Sequence, residues 1–151
     1  SVALAQECPL EEPPGNVQVA WITPVRQQVR ANAEIEVVRI DQLAGFVHDN
    51  KADQTRVLQA LGMAGKRGGW RARRLYKVVV FETTASELCR PGDHIEGDVI
   101  AGARACGAGR SGCTQDKLTD APGLEVYRLS WRDAARWGFC VVPLEVYLNE
   151  I

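Results

Sequence analysis

The sequence predicts an α+β domain: a mainly antiparallel sheet with two or three short helices, stabilised by disulfides. Three observations predict it. The run Val78-Val79-Val80-Phe81 is β-branched and aromatic, with no polar alternation. Such a run reads as a strand buried on both faces. Other stretches, at residues 16–22, 124–131 and 139–148, alternate apolar and polar residues, the period of half-buried strands. The elements follow the order strand, strand, two short helices, central strand, irregular cysteine region, strand, short helix, strand. That order lacks the regular strand–helix alternation of a parallel sheet.

Residues 1–15 read as an extended arm. Pro13-Pro14 forbids helix there, and Ala3-x-Ala5 matches the small-x-small pattern of a signal-peptidase site, making residues 1–5 a candidate signal remnant. Residues 16–151 read as a single α+β domain. In 16–22 (NVQVAWI), Val17, Val19 and Trp21 share a face, and Pro24 ends the run. Residues 34–40 (EIEVVRI) form a second strand. Asp41 is expected to cap a short helix carrying Leu43, Phe46 and Val47. Asn50 is expected to cap the next, with Asp53 completing a capping-box-like pair. There Val57, Leu58 and Leu61 form the apolar stripe, and Gly62 ends the helix so that Met63 folds back onto Leu58.

After the 78–81 strand, Pro91-Gly92-Asp93 is turn chemistry, and Ile95 and Val99-Ile100 are candidate short strands. In 124–131, Tyr127, Leu129 and Trp131 point inward. Ser130 and Asp133 make a capping box for a one- or two-turn helix that Gly138 stops. Residues 139–148 read as one last strand, with Cys140, Val142, Leu144, Val146 and Leu148 on one face and Pro143 marking an edge or bulge.

At 151 residues the chain can bury one substantial core. A net charge of −1 argues against a dedicated nucleic-acid binder. No stretch reaches the roughly 18 apolar residues of a membrane span. Five cysteines and the Ala-x-Ala pattern together predict a secreted or periplasmic protein. Cys106 and Cys113 bracket a glycine-rich loop that closes easily, so they are expected to pair, with Cys89 and Cys140 as the second bridge. Cys8 is then left over, which suggests a free thiol or a bridge between chains.

The densest positive charge lies just before the apolar strand. Lys66, Arg67, Trp70, Arg71, Arg73 and Arg74 combine forked donors with an aromatic face, a chemistry suited to anionic groups. The plainer reading is a solvated strand entrance whose arginine stems cover apolar surface. Catalytic motifs fare worse. In residues 62–67 (GMAGKR) a phosphate loop would need glycine at Ala60 and a hydroxyl at Arg67. Cys89, His94, Cys106 and Cys113 lack the C-x-x-C pair of a zinc site. Asp93, His94, Glu96 and Asp98 read as solvated charges. No metal and no cofactor is expected. The expected function is therefore non-catalytic: an extracytoplasmic binding or assembly domain. It would engage a protein partner, a second copy or an anionic polymer through the Arg/Trp patch and the N-terminal arm. The alternative is a small secreted, nuclease-like hydrolase using His48 and His94 as base and acid.

Overall fold

The computed structural model describes residues 14–61, 63, 75–90, 100–106 and 124–151. Its elements are β1 (Asn16–Pro24), β2 (Glu34–Arg39), α1 (Ile40–Asp49), α2 (Gln54–Ala60), β3 (Tyr76–Thr84) and a 3₁₀ turn (Ala85–Glu87). They continue with β4 (Cys89–Arg90), β5 (Arg104–Ala105), β6 (Val126–Ser130), α3 (Trp131–Ala135), β7 (Phe139–Pro143) and α4 (Leu144–Glu150). The seven strands form one sheet in the order β5-β4-β6-β2-β1-β3-β7. Every pair is antiparallel except β4 with β5. This is the expected α+β architecture.

The valine run lies in β3, which pairs with β1 along its whole length, from Asn16 opposite Thr84 to Pro24 opposite Tyr76. Its other side pairs with β7. β3 is thus interior but one strand in from the margin; β2 holds the centre. Side chains alternate between two cores. On one face Ala20, Ile22, Val38, Val78 and Val126 pack under Leu43 and Val47 of α1, Val57 and Leu58 of α2, and Leu144, Tyr147 and Leu148 of α4. On the other, Val19, Val37, Val79, Phe81, Tyr127 and Leu129 pack with Leu88, Ile100 and Ala134. Burial on both faces is why residues 78–81 lack polar alternation.

Local chemistry sets several boundaries as expected. Ser130 caps α3, its hydroxyl accepting the Asp133 N–H at 3.2 Å. Gly138, at φ +93°, takes the left-handed turn that follows. Met63 returns to Leu58, its N–H donating to the Leu58 carbonyl at 2.8 Å.

Four expectations are corrected. Residues 139–148 are not one strand: β7 ends at Pro143 and α4 begins at Leu144. Leu144, Tyr147 and Leu148 stand at i, i+3 and i+4, so the same segment satisfies the helical period. Burying that stripe under the sheet outweighs the alternation. Asn50 is the C-cap of α1; the N-cap of α2 is Asp53, whose carboxylate accepts the Thr55 N–H. Asp41 does not cap α1. It lies in the first turn and binds Arg39 at 2.6 Å, with Arg39 at the cap position.

The fourth correction concerns the bridges. Cys89 pairs with Cys106, with Cα atoms 4.8 Å apart, and not with Cys140; nor does Cys106 pair with Cys113. The parallel pairing of β4 and β5 sets Cys89 opposite Arg104, two residues from Cys106. Cys140 lies on β7, at the far margin of the sheet. Five inter-strand spacings of about 4.8 Å separate the two strands, well beyond the roughly 7 Å a disulfide spans. Cys140 is disulfide-bonded too, but to neither Cys89 nor Cys106. Cys8 and Cys113 lie outside the described residues.

Candidate functional site

The sequence-predicted patch of Lys66, Arg67, Trp70, Arg71, Arg73 and Arg74 lies outside the described residues, as do the arm through Pro13 and His94 with its acidic neighbours. What the structure places are the ends of the patch. Leu75, which follows Arg74, is 73% exposed, and its carbonyl accepts the Val25 N–H at 3.0 Å. Met63, just before the patch, packs against the helical-face core. His48 is exposed in the last turn of α1.

Two surfaces stand out that the residue pattern did not single out. The first is apolar. In the sheet, Trp21 stands opposite Val79 and Val79 opposite Val141; one row on, Val19, Phe81 and Phe139 stand opposite one another. These residues share the face away from the long helices. The inner members are buried, yet Phe139 is 42% and Val141 52% exposed. Trp131, at the start of α3, lies across the row, its ring centroid 5.5 Å from Trp21 and 5.0 Å from Phe139. The edge-to-face contact with Phe139 is a favoured aromatic geometry. The result is a continuous half-exposed strip, Trp21–Trp131–Phe139–Val141, beside the margin strand. Sequence reading placed Trp21 on one face of a half-buried strand, Trp131 inward and Phe139 in a strand. The exposure escaped it because it depends on how little of this face α3 covers.

The second surface is polar. A cavity of about 800 Å³ opens where β1 begins, β2 ends and α1 starts; Asn16, Val17, Gln18, Arg39, Asp41, Gln42, Ile100 and Ala101 line it. Behind it lies the buried carboxylate of Glu82, which accepts Asn16 Nδ2 at 2.6 Å and Gln18 Nε2 at 3.0 Å. Gln42 Oε1 accepts the Glu125 N–H at 3.1 Å. Tyr127 anchors the Ile100 wall: its hydroxyl accepts the Ile100 N–H at 2.9 Å and donates to Glu125. Burial pushes the Tyr127 pKa up.

A smaller cavity, about 410 Å³, lies between β1 and β2. The two strands pair only at Val19–Arg39 and Ala20–Val38. Among the described residues no group of three metal-ligating side chains occurs, and no helix is long and apolar enough to cross a membrane. Compared with protein-family models, curated proteins and solved structures, the chain finds no match in any of the three.

Proposed function

We propose that this chain is a binding or assembly domain that works outside the reducing cytoplasm and docks a protein partner, or a second copy of itself, on the Trp21–Trp131–Phe139–Val141 strip. The observation that carries this reading is the strip's continuity. Single exposed apolar residues are ordinary, but adjoining aromatic rings left half-open beside a margin strand are the composition of interface cores. The disulfide-bonded cysteines support the compartment. In this reading the Arg/Trp stretch and the N-terminal arm add secondary contacts.

Val141→Glu tests it. Val141 is half-exposed, so the substitution should change stability by no more than about 0.5 kcal/mol. A carboxylate on the strip should abolish association. Sedimentation velocity of wild type and variant reads both. A wild type that stays monomeric at its highest soluble concentration removes the self-assembly form. A variant that associates as wild type does removes the strip.

A further inference from the structure

We propose that the cavity at the start of β1 binds a neutral polyhydroxylated ligand, a saccharide or similar polyol. The inference is independent of the docking strip, none of whose four residues lines the cavity.

The starting point is Glu82. It is 7% exposed and its two carboxylate oxygens are each taken by one side-chain amide, Asn16 Nδ2 on one and Gln18 Nε2 on the other. Asn16 faces Thr84 and Gln18 faces Glu82 across the β1–β3 ladder, so all four side chains project from one face. An ionised carboxylate only accepts hydrogen bonds. Each amide must therefore turn its nitrogen toward Glu82, which directs Asn16 Oδ1 and Gln18 Oε1 away from it. Both oxygens belong to cavity-lining residues that are otherwise exposed, and neither has a partner among the described residues. The orientation of two surface amides, normally free to flip, is thus fixed by a buried charge.

Across the cavity the polarity reverses. Gln42 spends its oxygen on the Glu125 N–H, which leaves its Nε2 without a partner among the described residues. Asp41 is satisfied by Arg39 and by the Gln42 N–H, so the charged residues among the described lining pair with each other. Among the described residues the cavity therefore offers fixed acceptors on one wall and a donor, Gln42 Nε2, on another, with the Glu82 charge screened behind the two amides. Hydroxyl groups, which donate and accept at once, fit that pattern; a phosphate or an ammonium group does not. Val17, Ile100 and Ala101 supply apolar surface for the C–H face of a sugar ring. The volume lies within the range of ligand sites.

The test uses the full chain and ¹⁵N-labelled side-chain amides. Maltose, cellobiose, lactose and N,N′-diacetylchitobiose are titrated into the millimolar range, with glucose 6-phosphate as the charged probe. At least one neutral disaccharide should shift the Asn16, Gln18 and Gln42 amide resonances saturably, and glucose 6-phosphate should bind more weakly. Glu82→Gln should weaken binding about tenfold, the loss of one well-placed hydrogen bond. A carboxamide there cannot accept from both neighbours, so one of them turns over. Gln18→Ala removes an exposed acceptor together with one partner of Glu82 and should weaken binding similarly, with its circular dichroism compared with wild type. Val141→Glu should bind as wild type does. No shift with any neutral disaccharide, tighter binding of the phosphate, or wild-type affinity in both Glu82→Gln and Gln18→Ala would each overturn the proposal.

Discussion

The two margins of the sheet are built by opposite means. On one side β3 runs nine residues against β1 and is followed by β7, with α4 laid over the pair. Most of what is buried there is apolar: Val78 and Phe81 are fully buried, and Leu144, Tyr147 and Leu148 close the helical face, with Glu82 and the disulfide-bonded Cys140 as the polar and covalent additions. On the other side β4 and β5 are two residues each. Strands that short bury too little to hold themselves. Covalent and charged links replace packing: the Cys89–Cys106 bridge, Arg90 Nη1 on the Val126 carbonyl at 2.6 Å, and Arg128 between its neighbours and Glu36. Arg90 and Arg128 are both buried. Where apolar surface is plentiful the chain rests mainly on packing, and where it is scarce it rests mainly on directed bonds.

That contrast can be broken at three strengths. Val78→Asp should be the most severe. It puts a carboxylate with no partner into the packed margin and should cost about 4 kcal/mol or more, enough to unfold a domain of ordinary stability. Circular dichroism that still showed native structure and a sharp melt would mean the valine run is not the dominant support. Cys89→Ser comes next. Opening a bridge between residues 17 apart in sequence should cost about 3 kcal/mol, read by urea unfolding under oxidising conditions. A loss well below about 1 kcal/mol would show that the arginines alone suffice at the thin margin.

Tyr147→Phe should be the mildest, and in the other direction. The Tyr147 hydroxyl is buried with no hydrogen-bond partner among the described residues, so its removal should stabilise the packed margin by up to about 1 kcal/mol. Burial pushes its pKa well above the ordinary value of 10.0. With the folded pKa raised, its contribution is fully present below pH 10 and is lost as pH rises beyond, because only the unfolded chain ionises there readily. Wild type should therefore lose thermal stability above pH 10, and the Phe variant should lose less. Tyr127, also raised by burial, keeps part of the alkaline loss in both proteins. Parallel melting curves at high pH would deny the buried hydroxyl any part in the effect.

The interior strand of the packed margin, β3, is also what sequence reading recovers. The pattern of residues 78–81 states its own burial on both faces, and Ser130, Asp133 and Gly138 state the limits of α3 through local hydrogen-bonding chemistry. The α4 helix was hidden because residues 139–148 satisfy two periods at once; only the sheet's need for a cover near β3 decides between them. The bridges were misread for a related reason. Sequence proximity favoured Cys106 with Cys113, whereas the actual partner of Cys106 is set by the β4–β5 pairing, a contact across 17 residues. The candidate sites were harder still. Nothing local to Asn16 or Gln18 shows that Glu82, 66 and 64 residues away, will orient their amides. The strip depends likewise on Trp131 meeting Phe139 across a turn and Trp21 across the sheet.

The position of β2 carries a kinetic consequence. Its partner on one side, β6, lies far along the chain: Glu36 and Arg128 are 92 residues apart. Closing so long a loop is entropically expensive, and topologies dominated by such pairings fold slowly. As the chain is synthesised, β1, β2 and β3 can assemble well before residues 126–130 emerge. Throughout that interval the edge of β2 facing β6, with Ile35 and Val37 beside it, has no strand to receive. An unpaired apolar edge is a template for the wrong chain. The nascent protein is therefore most aggregation-prone at a definable stage, after β3 has formed and before β6 arrives.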